Sequence, residues 1–218
     1  MADKKTVVAG SSVTASQLKD FFRQIEDGSL GHSHIQAMLE HRNPFTFERN
    51  EHGHVIVTFI GLDLTGAEEV ERLEGAGYDV GNYAKSCFTS TADDSYDANH
   101  RLVAGQAYKV ALVPGKEIQK DSDRTTANLR ALGAKYGYGK PLAGHVPRVR
   151  ENVSDKQMEE MEIWYIASLH DPIKDSGGHP YVLDARRGVA GRGVRAFCGD
   201  PDDRWGGSGL FAFPVLAS

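Results

Sequence analysis

Apolar residues recur along this chain with two different periods, and the period changes part-way. In SQLKDFFRQIEDG, Leu18, Phe21, Phe22 and Ile25 fall at i, i+3, i+4 and i+7, which predicts an amphipathic helix stopped by Gly28. SHIQAMLEH predicts a second short helix, with Ile35, Met38 and Leu39 on one side and Asn43-Pro44 ending it. FTFERNEHGHVIVTFIGL then alternates: Phe45, Phe47 and Arg49, a polar turn with Gly, then Val55, Val57 and Phe59. That is the pattern of a hairpin. LTGAEEVERLEGAG opens with Thr65 and Glu68 at capping-box spacing and closes on Gly75 and Gly77. Residues 86–106 are polar without a clear period and are the candidate domain boundary.

The second half begins with a strand, YKVALVPG, stopped by Pro114-Gly115. DSDRTTANLRALGAKYGYG predicts a helix with Leu129, Leu132 and Tyr136 on one side. SDKQMEEM predicts another, its Ser154 and Gln157 at capping-box spacing. IWYIASLH is an unbroken apolar run of strand length, so Trp164, Ile166 and Leu169 are expected in the core. PYVLDARR, RGVRAFC and GLFAFPVL read as three further short strands joined by Gly- and Asp-rich turns. The expected order is β-α-α-β-β-β-β, an α+β chain of two parts: a helix and hairpin module over residues 1–100 and a loop-rich sheet domain over 105–218.

Composition narrows the function. At 218 residues the chain can build a sizeable core. Its net charge of −5 provides no basic footprint for nucleic acid. No apolar run reaches membrane-spanning length, and no secretory leader follows the first lysines, so a cytoplasmic setting is expected. Two cysteines, Cys87 and Cys198, make no disulfide framework.

The last 44 residues are unusual. Lys, Glu, Gln and Met occur 34 times in residues 1–174 and never in 175–218, where about nine would be expected pro rata. Arg, Asp, Phe and Trp persist there. Nine glycines in the segment displace other types, so a small Gly-rich sheet explains part of the deficit.

The order of elements from residue 107 resembles the C-type lectin fold, in which two helices follow the first strand and a compact, loop-rich sheet follows them. EIWYIASLHDPIKDSGGHPYVL, DPDDRW and GLFAFP resemble the closing segments of diversity-generating retroelement variable proteins of candidate-phyla bacteria. LEHRNPF, LTGAEEVERLEGAG and NYAKSCFTS extend the resemblance over most of the chain. The resemblance implies a variable region at about 180–213. Adenine-directed mutagenesis of Asn-type codons reaches fifteen residue types but not Lys, Glu, Gln, Met or Trp. Trp205 would then be a fixed scaffold residue.

GDPDDRWGGSG sets Asp200, Asp202 and Asp203 around Pro201, as hard-cation ligation requires, but Gly206 and Gly207 follow Trp205 with no oxygen-bearing side chain. Asp-Pro-Asp-Asp is also turn chemistry. GHSH at 31–34 and EHGH at 51–54 hold four imidazoles, yet both lie at predicted element ends, and no metal is expected. Formylglycine-generating enzymes are similar in fold but depend on paired cysteines, and only Cys198 lies in the second half. GxxxxGK[ST] spacing is absent and no Ser-His-Asp set is arguable from spacing, so no catalytic residue and no cofactor are expected. The Arg and aromatic content of the tail points to binding instead. In RGVRAFC, Val194 and Ala196 alternate with Arg195 and Phe197, which sends the latter pair outward together. The expected ligand-binding face comprises Tyr181, Asp184, Arg186, Arg195, Phe197, Asp203, Arg204, Trp205 and Ser208. Its expected partner is an unidentified protein or cell-surface ligand, with no nucleic acid and no membrane insertion. The alternatives are an enzyme on the same fold, of the formylglycine-generating or another small-molecule type, and an undiversified phage or host-interaction protein.

Overall fold

The computed structural model describes residues 13–26, 30–39, 47–175, 177–188 and 191–216. The expected features at residues 1–12, Gly28, Asn43-Pro44 and Phe45 lie outside the described residues. Helices α1 (Ala15–Glu26) and α2 (His32–Leu39) precede the hairpin β1 (Glu48–Arg49) and β2 (Val55–Ile60). Helix α3 (Gly66–Gly75), strand β3 (Asp79–Val80) and helices α4 (Asn82–Phe88) and α5 (Tyr96–Asn99) follow. Strand β4 (Ala107–Pro114) leads into helices α6 (Thr126–Lys135), α7 (His145–Asn152) and α8 (Asp155–Glu160). Strands β5 (Tyr165–Ala167), β6 (Ile173–Lys174), β7 (Pro180–Gly188), β8 (Gly191–Cys198) and β9 (Gly209–Pro214) complete the order.

Local chemistry sets several of these boundaries. Thr65 accepts from the Glu68 amide while the Glu68 carboxylate accepts from the Thr65 amide at 2.7 Å, which closes a capping box on α3. Ser154 and Gln157 do the same for α8. In the β1–β2 turn, the Asn50 side chain accepts from the His52 and His54 amides, and Gly53 takes a φ of 80°, a region open to glycine.

One sheet runs through the molecule in the order β1-β2-β4-β9-β5-β7-β8-β3, with β6 paired to β7. β4 and β9 are antiparallel, β9 and β5 parallel, and β5, β7 and β8 antiparallel. Strands of the first half occupy both ends: β2 pairs with β4, and β3 runs parallel to β8. The architecture is therefore mixed helix and strand, as expected. Backbone hydrogen bonding crosses the expected boundary near residue 100 at both ends of the sheet. The stretch 86–106, expected to be irregular, contains the end of α4 and all of α5.

Alternation sorts the core into two layers. On one side Val57, Phe59, Leu112, Ile166, Leu183, Ala185, Val194 and Ala212 meet Leu73 and Phe88 of α3 and α4 and Val146 and Val149 of α7. On the other, Val113, Ala167, Val182, Phe211 and Phe213 meet Leu129 of α6 and Trp205. Ile166 and Leu169 are buried as expected. Trp164 is not: it is 54% exposed. It precedes the first paired residue of β5, and the Arg187 guanidinium, 4.2 Å from its ring centroid, lies over it. The apolar stripe of α1 is also uncovered. No residue of α1 is buried, and Leu18, Phe22 and Ile25 are exposed.

Candidate functional site

Strand pairing decides which tail residues share a face. In the β7–β8 ladder Val182 lies opposite Phe197, Asp184 opposite Arg195, and Arg186 opposite Gly193. Opposite residues point to the same side. Asp184, Arg186, Arg195 and Phe197 therefore stand together on the sheet side that carries α6. Helix α6 packs against β4 and β9 through Leu129 and Gly133, leaving this part of the sheet to the loop before β9. Tyr181 is corrected. Three positions from Asp184, it points to the opposite side and stacks on Tyr83 of α4 at 5.3 Å.

The loop of residues 199–208 is held by groups outside the tail. The amides of Thr126 and Ala127, at the start of α6, donate to the carbonyls of Asp203 and Pro201 at 3.0 Å. These are amides a helix start leaves without internal partners. The Trp205 indole N–H donates to Thr126 Oγ1 at 2.9 Å. Its ring, 5% exposed, lies between Phe197 (4.8 Å), Phe211 (5.4 Å) and Tyr165 (5.8 Å). The buried Arg124 guanidinium donates to the carbonyls of Trp205, Gly115 and Ile118. Tyr165 crosses Gly209 so closely that a Cβ there would lie 2.2 Å from its ring, and its hydroxyl donates to the Gly206 carbonyl. Arg124, Thr126 and Tyr165 went unrecognised in the sequence. Nothing in DSDRTTAN marks Arg124 as buried, and Tyr165 sat within an apolar run expected to be covered on both faces.

The members of the expected face are not equally exposed. Asp184 is wholly buried and accepts from Arg186 Nε at 2.5 Å and Nη2 at 3.1 Å. Burial pushes its carboxyl up from the ordinary carboxylate range while Arg186 pulls it down. Asp184 is thus the buried support of Arg186 rather than a contact residue, because Ala167 and Arg195 flank it in the sheet. Arg195 is tied to the carbonyl and carboxylate of Asp79. Arg192 lies over the Tyr78 ring on the other side. Phe197 is 37% exposed. Asp203 is half-buried and accepts from the Asp200 amide; Arg204 and Ser208 are exposed. The Arg204 guanidinium has no hydrogen-bond or ion-pair partner among the described residues. The face thus offers Phe197, Arg186, Arg204, Ser208 and the rim of Tyr165, over a loop whose backbone is fixed.

Ligand atoms of Cys198, Asp200 and Asp203 lie within 4.8 Å of one another, the one such group among the described residues. Its geometry is that of a turn: the Asp200 amide donates to Asp203, and the Cys198 thiol, pushed up to about 11 by burial and the carboxylates, stays protonated. The two His-x-His pairs form no such group. His54 is buried between Tyr138 and Glu117, 2.6 and 2.8 Å away, and His34 Nδ1 accepts from the Gly31 amide. Both cysteines are free, and burial pushes Cys87 up to about 12.

No helix among the described residues is long and apolar enough to cross a membrane. No family model, curated protein or solved structure matches the chain.

Proposed function

We propose that this chain is a non-catalytic binding protein whose contact surface is the open part of the sheet around Phe197, Arg186, Arg204 and Ser208. One observation carries the reading: the loop of residues 199–208 is fixed by Trp205, Arg124 and the start of α6, while Asp202, Arg204 and Ser208 project from it exposed. A binding surface works best when its backbone is rigid and its contacting side chains are free of structural duty. Phe197 and Arg204 belong to the types that dominate contact energies.

The resemblance to C-type lectin-like variable proteins is part of the proposal. It is supported by the succession of β4, helices and a loop-rich sheet, and by the absence of Lys, Glu, Gln and Met from the whole tail. In this reading the first half extends the lectin-like sheet at both edges. The ligand is a protein or another cell-surface molecule. The locus provides the test. A neighbouring reverse-transcriptase gene and a template repeat matching the codons of residues 180–213 except at adenines are expected. In parallel, the purified chain and a Phe197→Ser/Arg204→Ser/Ser208→Ala variant are compared on arrays of surface proteins and glycans. Diversification fails without the repeat. The binding face fails if the variant retains every interaction of the parent.

A further inference from the structure

Away from the tail face, three segments line an open cavity of about 710 Å³. Residues 92–100 around α5, residues 140–142 before α7 and residues 171–174 leading into β6 line it. That volume lies within the range of small-molecule sites, roughly 300–1,000 Å³.

Two polar atoms on its lining residues are buried without a partner: His100 Nε2 and Asp94 Oδ1. His100 is 3% exposed. Its Nδ1 accepts from the Ala143 amide at 3.4 Å, which leaves the proton on Nε2 as a donor with nothing to bond. Burial holds the ring neutral, its pKa lowered to about 4. Asp94 supplies the opposite need, a carboxylate oxygen without a donor. Folded proteins seldom leave either kind of atom unsatisfied, and a water or another polar molecule at this place would satisfy both.

The charges around these atoms alternate. Lys140 pairs with Asp171, and Lys174 Nζ lies 3.7 Å from Asp94 Oδ2. The side chains of Lys140, Asp171 and Lys174 are each more than half exposed, so these pairs yield to a ligand at little cost. Pro141 and Leu142 add an apolar wall. A bare anion would face Asp93, Asp94 and Asp171. A bare cation would face two lysines and the N–H of a neutral imidazole. A ligand carrying both charges answers every group: its carboxylate takes the lysines and its ammonium the aspartates, and a small shift of the lining opens the buried His100 Nε2–H and Asp94 Oδ1 to the same two charges.

We infer that this cavity binds a small zwitterion of the α-amino acid or dipeptide class. The site shares no residue with the tail face, so its fate is independent of the reading given for that face. Calorimetric titration of the full chain with dialanine tests it, against N-acetyl-dialanine methylamide, inorganic phosphate and maltose. A one-to-one isotherm is expected for dialanine alone. Asp94→Asn and the double variant Lys140→Met/Lys174→Met each weaken it at least about tenfold. The exposed lysine positions keep the variants folded, which their melting temperatures check. On the unaltered protein, the His100 Nε2–H proton resonance shifts on adding dialanine. The inference is overturned by silence up to about 20 mM dialanine, by equal binding of the blocked dipeptide, by binding of phosphate or maltose in its place, or by variants that bind as the parent does.

Discussion

The two sides of the sheet handle polar groups in opposite ways. Beneath α3 and α7, charged side chains are buried and bonded. Arg148 donates twice to Glu69, at 2.7 and 3.0 Å, and Arg150 donates to the carbonyls of Val153 and Arg186 and to Asp155. Asp184, Arg124 and Thr126 apart, polar side chains on the side of Phe197 and Arg204 reach solvent, and the backbone under them is what is bonded. The first side cannot exchange its buried arginines without orphaning a partner, whereas the second can exchange Phe197, Arg204 and Ser208. Position on the sheet thus separates what the fold needs from what a ligand would meet.

The largest effect that sharpens this contrast is acid lability. Burial holds His100 and His145 at about 4 and pushes His170 well below the ordinary imidazole range. The unfolded chain takes up these protons near pH 6.5 and the folded one does not, so stability falls as pH drops from about 6.5 towards 4. Each imidazole contributes a loss of about 1.4 kcal/mol per pH unit. Thermal melts between pH 7.5 and 4.5 check it, and a flat profile would return the imidazoles to water.

Next comes Trp205→Ala. Removing the ring that joins Phe197, Phe211 and Tyr165 should cost about 3–5 kcal/mol, read by denaturant unfolding. Unchanged stability would break the loop clamp. Trp164→Ala is the paired control. With more than half its surface in water and one guanidinium above it, the loss should stay near 1 kcal/mol or below; a loss equal to that of Trp205 would erase the distinction between the two tryptophans. The smallest effect is on the open side, where Phe197→Ser, Arg204→Ser and Ser208→Ala should each shift stability by about 0.5 kcal/mol or less. A cooperative collapse of the triple variant would show that this surface serves the fold.

Much of this arrangement is legible in the chain. Both capping boxes follow from three-residue spacing, and alternation pairs Arg195 with Phe197 on the outer side. The same alternation places Tyr181 on the inner side, three residues from Asp184, although composition alone groups it with the face. Helix α7 left no such trace. HVPRVREN has no apolar stripe, because its buried positions include Arg148 and Arg150, and two of their acceptors, Glu69 and the Arg186 carbonyl, lie far away in sequence. Pro147 sits in the first turn, where its missing N–H removes no helical bond. Asp184 misled for a related reason: a carboxylate between outward-facing neighbours reads as exposed until Arg186 is seen to cover it. Trp164 misled in the other direction, since an apolar run does not tell which of its side chains the neighbouring elements leave uncovered: its backbone is bonded to Ser208 and Arg187, and its ring is not covered.

The position of β9 between β4 and β5 has a consequence during synthesis. The strand that closes the middle of the sheet is the last of the described strands to leave the ribosome, and it must insert between strands made about 40 and 100 residues earlier. Such long-range closure is slow and all-or-none. A stop codon or frameshift ahead of β9 yields a chain without that strand, its sheet open at the centre and the facing edges of β4 and β5 unpaired. Such products are natural targets for proteolysis, whereas in-frame exchanges on the open side pass. The topology makes the whole sheet depend on the strand that arrives last among those described.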